Sequence, residues 1–304
     1  MENKLILRLA NGLGNQLFLY ATAFTFAKKL NYKLELDDKS GFVNDDRNIK
    51  YELSNFNISS EEVLDSLKFN TKLKNLKRIF LKEKDKFTTK KTFLIEKRDK
   101  NKDTYYSDQY LKAKYNNIIY MEGYFQSEKY FNDCKLDILK EFTFKDHVKQ
   151  SNMNMKKKII ASNSVALHIR QHAFSETASK KSNAKNLNKS KVFKTDTINH
   201  AKKAINYFKN KTSNPLFFIF SNDFTSLSND FIGNDFIFVN DKNNKPIHDF
   251  YLMHLCKHFI VSPSTFSWWA AWLSRNNNKI CITPPTNIVY SNNKDVAPKG
   301  WIKI

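Results

Sequence analysis

The chain has 304 residues, 41% hydrophobic and 14% aromatic, with 6 Gly and 6 Pro: too apolar for disorder, and too poor in Gly and Pro for a fibrous or linker-rich protein. That length suits two domains, expected at 1–150 and 151–304, each able to bury its own core. Lys and Arg number 51 against 30 Asp and Glu, and the resulting +21 invites a polyanion (nucleic acid, an anionic membrane face or a phosphorylated substrate) or reflects lysines spread over solvated faces. No apolar run approaches the ~20 residues of a membrane span. The N-terminal MENKLILRLANGLGNQ carries no signal-peptide pattern, so a cytosolic protein is expected. Cys134, Cys256 and Cys281 are too few for a disulfide framework and include no C-x-x-C pair, which argues against structural zinc.

Lys4 to Leu9 reads as a strand and Asn11-Gly12-Leu13-Gly14-Asn15 as a glycine turn; from Gln16, residues Leu17, Tyr20, Ala21, Phe24 and Ala27 recur at the helical period. Lys33 to Asp37 reads as a second strand, closing a β-α-β unit of the parallel type. Residues 38–117 are polar, lysine-rich and weakly periodic, an elaboration of the first domain with short helical patterns only. Within them, Lys72 to Lys91 interleaves lysines with Leu73, Leu76, Ile79 and Phe80, the pattern of an amphipathic basic helix that could lie on anionic lipid, or of a solvated face. No RNP, zinc-finger or helix-turn-helix pattern accompanies it, so nucleic acid has charge alone in its favour and is not expected as a partner. Asn117 to Tyr120 gives another strand, and Glu122 to Phe131 reads as a loop entering a helix.

After a lysine-rich stretch at 145–158 the alternation restarts with a strand from Ile159 or Ser164 to Ile169, a polar loop from 171 to about 193 and a helix at 195–209. Strands Leu216–Phe220 and Phe236–Val239, helix 247–257, strand His258–Ser262, helix 265–275 and strand Lys279–Thr283 follow. Strands alternating with helices through both halves predict an α/β protein of two doubly wound, Rossmann-type domains facing each other, with the site in the cleft between them.

In open α/β sheets ligands sit beyond the carboxyl ends of the strands, and four such ends stand out. Asn11, Gly12, Gly14, Asn15 and Gln16 form a turn whose glycines permit close backbone approach and whose following helix offers free N–H groups, although a purely structural turn would look the same. Leu17 stands where the dinucleotide fingerprint needs its third glycine. His168 and Arg170 alternate along a strand end and share a face, where the guanidinium suits bidentate grip on phosphate. Ser221, Asn222 and Asp223 stop a hydrophobic run and suit ribose hydroxyls or a base edge, or an ordinary turn. Ser262, Ser264, Thr265 and Ser267 bring hydroxyls together where a strand gives way at once to a helix N-terminus, more than a cap needs, and a diphosphate is the natural ligand.

Taken in order, Gly12-Leu13-Gly14-Asn15-Gln16, the segment Glu122 to Phe131, His168-Ile169-Arg170, Phe220-Ser221-Asn222-Asp223 and the segment Ser264 to Leu273 resemble the motifs of the bacterial α-1,2-fucosyltransferases, glycosyltransferase family 11. Pro298 to Ile304 resembles that family's ending. The resemblance implies a GT-B-like fold, GDP-β-L-fucose as donor, a galactose-terminated glycan as acceptor, inversion at the anomeric carbon and no cofactor or metal. It places the acceptor on the first domain and the GDP-sugar on the second, with Arg170 on the diphosphate, His168 supporting it, and Ser264, Thr265, Phe266 and Ser267 around the donor. Asp249 is implied as a nucleotide contact beside Ser221, Asn222 and Asp223. The chain has no Asp-x-Asp to hold a divalent ion on the diphosphate. The alternatives are a transferase for another GDP-sugar and a non-catalytic basic protein binding lipid or nucleic acid.

One departure stands out. The family's commonest form continues as His-x-Arg-Arg-Gly-Asp, whereas Gln171-His172-Ala173-Phe174-Ser175-Glu176 follows Arg170 here. The base candidates are therefore Glu176, a carboxylate ionised at neutral pH, and His172, which the neighbouring Arg170 charge pushes toward neutral imidazole. A third route leaves the proton to the departing phosphate. Asn15 and Gln16 can orient an acceptor but not take its proton.

Overall fold

A computed structural model describes residues 2–101, 103–175, 177, 183–225, 227–241, 243–284 and 294–304, and the chain divides into two compact units. Unit 1 comprises Met1–Thr143 with Ser291–Val296, and unit 2 comprises Phe144–Tyr290 with Ala297–Ile304.

Unit 1 runs β1 (Lys4–Arg8), α1 (Leu13–Leu30), β2 (Lys33–Asp37), β3 (Glu61–Glu62), α2 (Lys72–Asp85), β4 (Lys91–Ile95), α3 (Gln109–Lys112), β5 (Tyr115–Glu122) and α4 (Lys135–Glu141). Its strands are all parallel, in the order β3-β2-β1-β5-β4. Leu5 of β1 lies opposite Leu34 and Ile119, so the middle of the sheet is apolar on neighbouring strands, as parallel sheets covered on both faces require. Helix α1 is buried along most of its length, and Phe26 packs edge-on against Phe125 and Tyr130. It begins at Leu13 rather than Gln16, which puts Gly14 inside its first turn and not in the preceding loop. Gly41 is required by close approach: a Cβ there would lie 1.8 Å from the carbonyl oxygen of Leu9.

Unit 2 runs α5 (Asp146–Lys149), α6 (Met153–Ala161), β6 (Asn163–Ile169), α7 (Ala184–Lys211), β7 (Pro215–Ser221), α8 (Leu227–Asp230), β8 (Phe236–Phe238), α9 (Pro246–His254), β9 (His258–Ile260), α10 (Thr265–Leu273), β10 (Cys281–Thr283) and β11 (Ile302–Lys303). The six strands are parallel in the order β11-β10-β9-β6-β7-β8, the doubly wound arrangement of a dinucleotide-binding sheet. Val165, Leu167 and Ile169 of β6 and Phe217 and Ile219 of β7 face Phe208 and Ile205 of α7 in the core. The C-terminal residues complete the sheet: Ile302 pairs with Ile282, the ring of Trp301 meets that of Trp268 at 5.7 Å, and His200 Nδ1 lies 3.1 Å from the Ile304 carbonyl.

Helix α7 starts eleven residues earlier than its expected 195, and the polar loop is correspondingly shorter. Its first half exposes Leu187 and Val192 and presents no apolar stripe to the core, so the helical period is silent there. Asn183 caps it, accepting from the N–H groups of Lys185 and Asn186 at 3.0 and 3.3 Å.

Candidate functional site

A doubly wound sheet binds ligands where the strand order reverses, and in unit 2 that point lies between β6 and β9. One side-chain hydrogen bond spans it, 2.6 Å between His168 Nδ1 at the end of β6 and Ser262 Oγ just beyond β9. Burial, followed by the charge of Arg170, pushes the His168 imidazole down to about 3, so it is neutral at physiological pH. Ser262 Oγ lies 3.3 Å from Ser267 Oγ, and Ser264 Oγ caps α10 by accepting from Phe266 N at 3.3 Å. The N–H groups of Thr265 and Ser267 stand in the first turn, beyond the reach of the helix's own carbonyls. Phe266 holds this terminus against the sheet, its ring 5.7 Å from His168 and 5.0 Å, edge-on, from Phe250. Behind it Trp268, Trp269 and Trp272 are buried in mutual ring contact. The segment thus has two jobs: its tryptophans fix the helix, and its hydroxyls and N–H groups meet the strand ends.

At the neighbouring edge the polar side chains bond the protein's own turns, one of the two roles the sequence allowed. Asn222 Oδ1 accepts from Gln171 N at 2.7 Å while Asn222 Nδ2 donates to the Gln171 carbonyl at 3.0 Å. Ser221 Oγ donates to the Asp223 carbonyl at 2.6 Å, and Asp223 Oδ1 accepts from Thr225 N at 2.8 Å. Ser221, Asn222 and Asp223 thus bond their side chains to the turns on either side of this edge. Their product is the placement of His172, whose Nε2 lies 2.8 Å from Asp223 Oδ2 and whose backbone adopts a left-handed φ of 57°. The hydrogen bond from His172, reinforced by Thr225, holds the Asp223 carboxyl down at about 2. Glu176 lies outside the described residues.

Asp249, on the first turn of α9 next to Phe250, is the outlier among the acids. Desolvation raises its carboxyl to about 6 even though Asn244 Nδ2 donates to Oδ1 at 2.9 Å, and Asp241 adds to the rise. Such a carboxylate gains most from a ligand that brings N–H donors.

In unit 1 the strand order reverses between β1 and β5, and again one side-chain bond spans the point, from Gln126 Nε2 to Asn15 Oδ1 at 2.6 Å. Gln16 is buried, its amide donating to the carbonyls of Asn11 and Lys50 at 2.7 and 2.8 Å and accepting from Glu52 N at 2.9 Å. It ties the 50–52 segment to the helix start. Asn11 has a left-handed φ of 65° and accepts from Arg47 Nη2 at 3.0 Å. Open space surrounds the position a Cβ of Gly12 would take, so the backbone there is approachable.

Residue-by-residue reading missed the charged cluster at the strand ends of this sheet. Arg8, Asp37 and Glu122 are the last residues of β1, β2 and β5, with Arg78 and Lys82 brought in by α2; Glu122 receives Arg78 Nε and Nη2 at 2.5 and 2.6 Å and Lys82 Nζ at 2.5 Å. Arg8 donates to the Ser40 carbonyl at 2.8 Å, and burial lowers its guanidinium from the usual range. The rule that singled out Arg170, a cation at the end of an apolar strand, would also have found Arg8. Among the described residues no cluster of three or more His, Cys, Asp or Glu has the geometry to hold a metal ion.

Comparison with known proteins agrees with this architecture. The model of glycosyl transferase family 11 matches residues 5–304. Relatives include an Escherichia coli alpha-1,2-colitosyltransferase, 28% identical over 98% of this chain and 98% of its own, and the Escherichia coli O-antigen biosynthesis glycosyltransferase WbnK, 26% identical over 97% and 99%. Galactoside alpha-(1,2)-fucosyltransferase 2 of Pongo pygmaeus is 25% identical over 56% of this chain and 50% of its own. Among solved structures, fucosyltransferase NodZ from Bradyrhizobium aligns over 89% of this chain and 92% of its own at 15% identity and a TM-score of 0.53. FUT1 of Arabidopsis thaliana, a mutant in complex with GDP, covers 95% and 72% at 13% identity with the same score. These likenesses establish the GT-B-like fold of the fucosyltransferases. A match along essentially the whole chain, on a fold whose two sheets each carry its motifs at the point of strand reversal, makes this protein a member of glycosyl transferase family 11.

Proposed function

We propose that the protein transfers L-fucose from GDP-β-L-fucose to O2 of a terminal galactose residue on a surface glycan or oligosaccharide, with inversion and without a metal. The observation that carries this reading is the switch point of unit 2, where neutral His168, Ser262 and Ser267 gather at the N-terminus of α10 while Arg170 follows on β6. Such a terminus presents N–H groups and positive dipole to a diphosphate, and a guanidinium completes the charge balance on the leaving GDP. The absence of an Asp-x-Asp motif from the sequence supports leaving that balance to the protein's cations. Asp249 is the guanine contact: a carboxylate raised by burial is matched by the paired N–H donors on the Watson–Crick edge of guanine. The names of the relatives, one a galactoside alpha-(1,2)-fucosyltransferase and another an O-antigen glycosyltransferase, support the linkage and the class of acceptor.

In the reaction the acceptor O2 attacks the fucose anomeric carbon from the face opposite the diphosphate. The C1–O bond to GDP breaks with its electron pair leaving on phosphate, and the acceptor proton passes to a base. His172, held by Asp223, and Glu176 are the candidates, with the departing phosphate as the third route. A second reading, transfer of another GDP-linked deoxysugar, is favoured by the relative named as a colitosyltransferase. Family membership favours catalysis over the non-catalytic binding proteins. Calorimetric titration with GDP and ADP, with and without EDTA, tests the donor half: GDP should bind more tightly than ADP, unaffected by EDTA, and equal affinity for the two would remove Asp249 from the base site.

A further inference from the structure

Helix α2 is amphipathic in the wrong sense for a solvated helix. Arg78 and Lys82 face the protein, and both engage Glu122 at the end of β5. Lys82 also lies over the Phe93 ring, 5.5 Å from its centroid. At the helix C-terminus Asp85 is buried and accepts from Thr92 N and Phe93 N of β4 at 2.8 and 2.7 Å. Leu81 alone of its large apolar residues packs against the core of Phe69, Phe93 and Tyr120. Two cations and a carboxylate thus fix the helix rotation, and they fix it with the apolar side outward: Leu73 is 80% exposed, Leu76 62% and Phe80 67%, with Phe87 just past the helix at 90%.

By the helical period Leu73, Leu76 and Phe80 fall on one stripe, with Lys72 and Glu83, the latter neutralised by Lys86 at 2.6 Å, on one flank and Lys77 and Lys84 on the other. Lys72, Lys77 and Lys84 are exposed. Water gives such a stripe nothing, whereas a surface with apolar depth beneath a layer of negative charge satisfies both parts at once. We propose that this face of α2, with Phe87, is a docking surface for the anionic face of a lipid bilayer. Leu73, Leu76, Phe80 and Phe87 enter the acyl boundary while Lys72, Lys77 and Lys84 meet lipid phosphates. Charge selects this occupant over a second copy of the chain, since a two-fold contact would set the same lysines against one another on a molecule of net charge +21. No helix of the described residues is long and apolar enough to cross a membrane, so this is attachment along the surface.

The test is co-sedimentation of the whole protein with vesicles of phosphatidylglycerol and phosphatidylethanolamine, and with vesicles of phosphatidylcholine, at low and high salt. The unaltered protein should pellet with the anionic vesicles only, and less at high salt. A Leu73→Ser/Phe80→Ser variant should lose affinity by on the order of tenfold or more per side chain. A Lys72→Gln/Lys77→Gln/Lys84→Gln variant should lose about fivefold per lysine, on the order of a hundredfold in all. The altered side chains are all exposed, so melting temperature and GDP affinity should not change, and vesicle binding is read without reference to turnover. Absence of binding by the unaltered protein, equal partitioning of either variant, or a dimer broken by Leu73→Ser/Phe80→Ser in a protein that ignores vesicles would each overturn the proposal.

Discussion

Replacing Asp249 by Asn separates what the carboxylate does for the fold from what it does for the ligand. Burial raises its acid to about 6, two units above an unfolded value of ~3.9. The folded chain therefore binds this proton more tightly than the unfolded chain does. Stability from the group is complete below the unfolded value and is lost as pH rises through 6. Two units correspond to about 3 kcal/mol with the Asn244 bond already included, and solvent screening of this half-buried group brings the expected penalty to roughly 1–2 kcal/mol. At neutral pH Asp249→Asn should then melt higher, by about 2–4 °C per kcal/mol for a unit of this size, and near pH ~4 the two proteins should melt together. GDP binding should move the other way, weakening by on the order of ten- to a hundredfold as a charge-assisted hydrogen bond is lost. Scanning calorimetry across pH with parallel GDP titrations measures both. A variant less stable than the parent at neutral pH, or a stability gap that does not change with pH, would refute the reasoning.

In the unaltered protein GDP affinity should be flat above pH 6 and fall below it by up to about tenfold per unit, because the proposed guanine contact needs the ionised form of Asp249; calorimetry at several pH values checks this. On the proposed role of Arg170 at the leaving diphosphate, Arg170→Ala should lower turnover by on the order of 10³-fold, measured as GDP release. Ser262→Ala leaves His168 Nδ1 buried without its 2.6 Å partner and should cost about 1–3 kcal/mol in urea unfolding. For the base, Asp223→Asn and His172→Asn should lower turnover together with GDP affinity kept if the imidazole takes the proton; Glu176→Gln alone should do so if the carboxylate does, and turnover kept in all three points to the phosphate.

The strand ends of unit 2 were legible because parallel strands are continuous apolar runs that stop sharply at polar residues. The sequence from Phe259 to Leu273 shows its strand, its hydroxyl-rich turn and its buried tryptophan helix without help from the rest of the chain. Helix α6 and strand β4 escaped notice because their short apolar segments are embedded in lysine-rich sequence, and Lys91–Ile95 gains its place only by pairing with β5. The periodicity of α2 was visible, but not its direction, because a helical pattern identifies an apolar face without saying where it points. That direction is decided by Glu122, forty-four residues beyond Arg78 in the chain. Ser221, Asn222 and Asp223 show the same gap at the site: polar residues at a strand end serve a ligand or a turn equally well, and their bonds to Gln171 and His172 come from the loop after a different strand.

The most direct test of the proposed reaction is to incubate the purified protein with GDP-fucose and a panel of β-galactosides, and to characterise the product by mass spectrometry and NMR. The expected product carries one added deoxyhexose, joined in α linkage to galactose O2, with GDP released in equal amount and no dependence on added metal. Transfer from another GDP-sugar alone, attachment at a different hydroxyl, retention of the β configuration, or no GDP release beyond slow donor hydrolysis would contradict it.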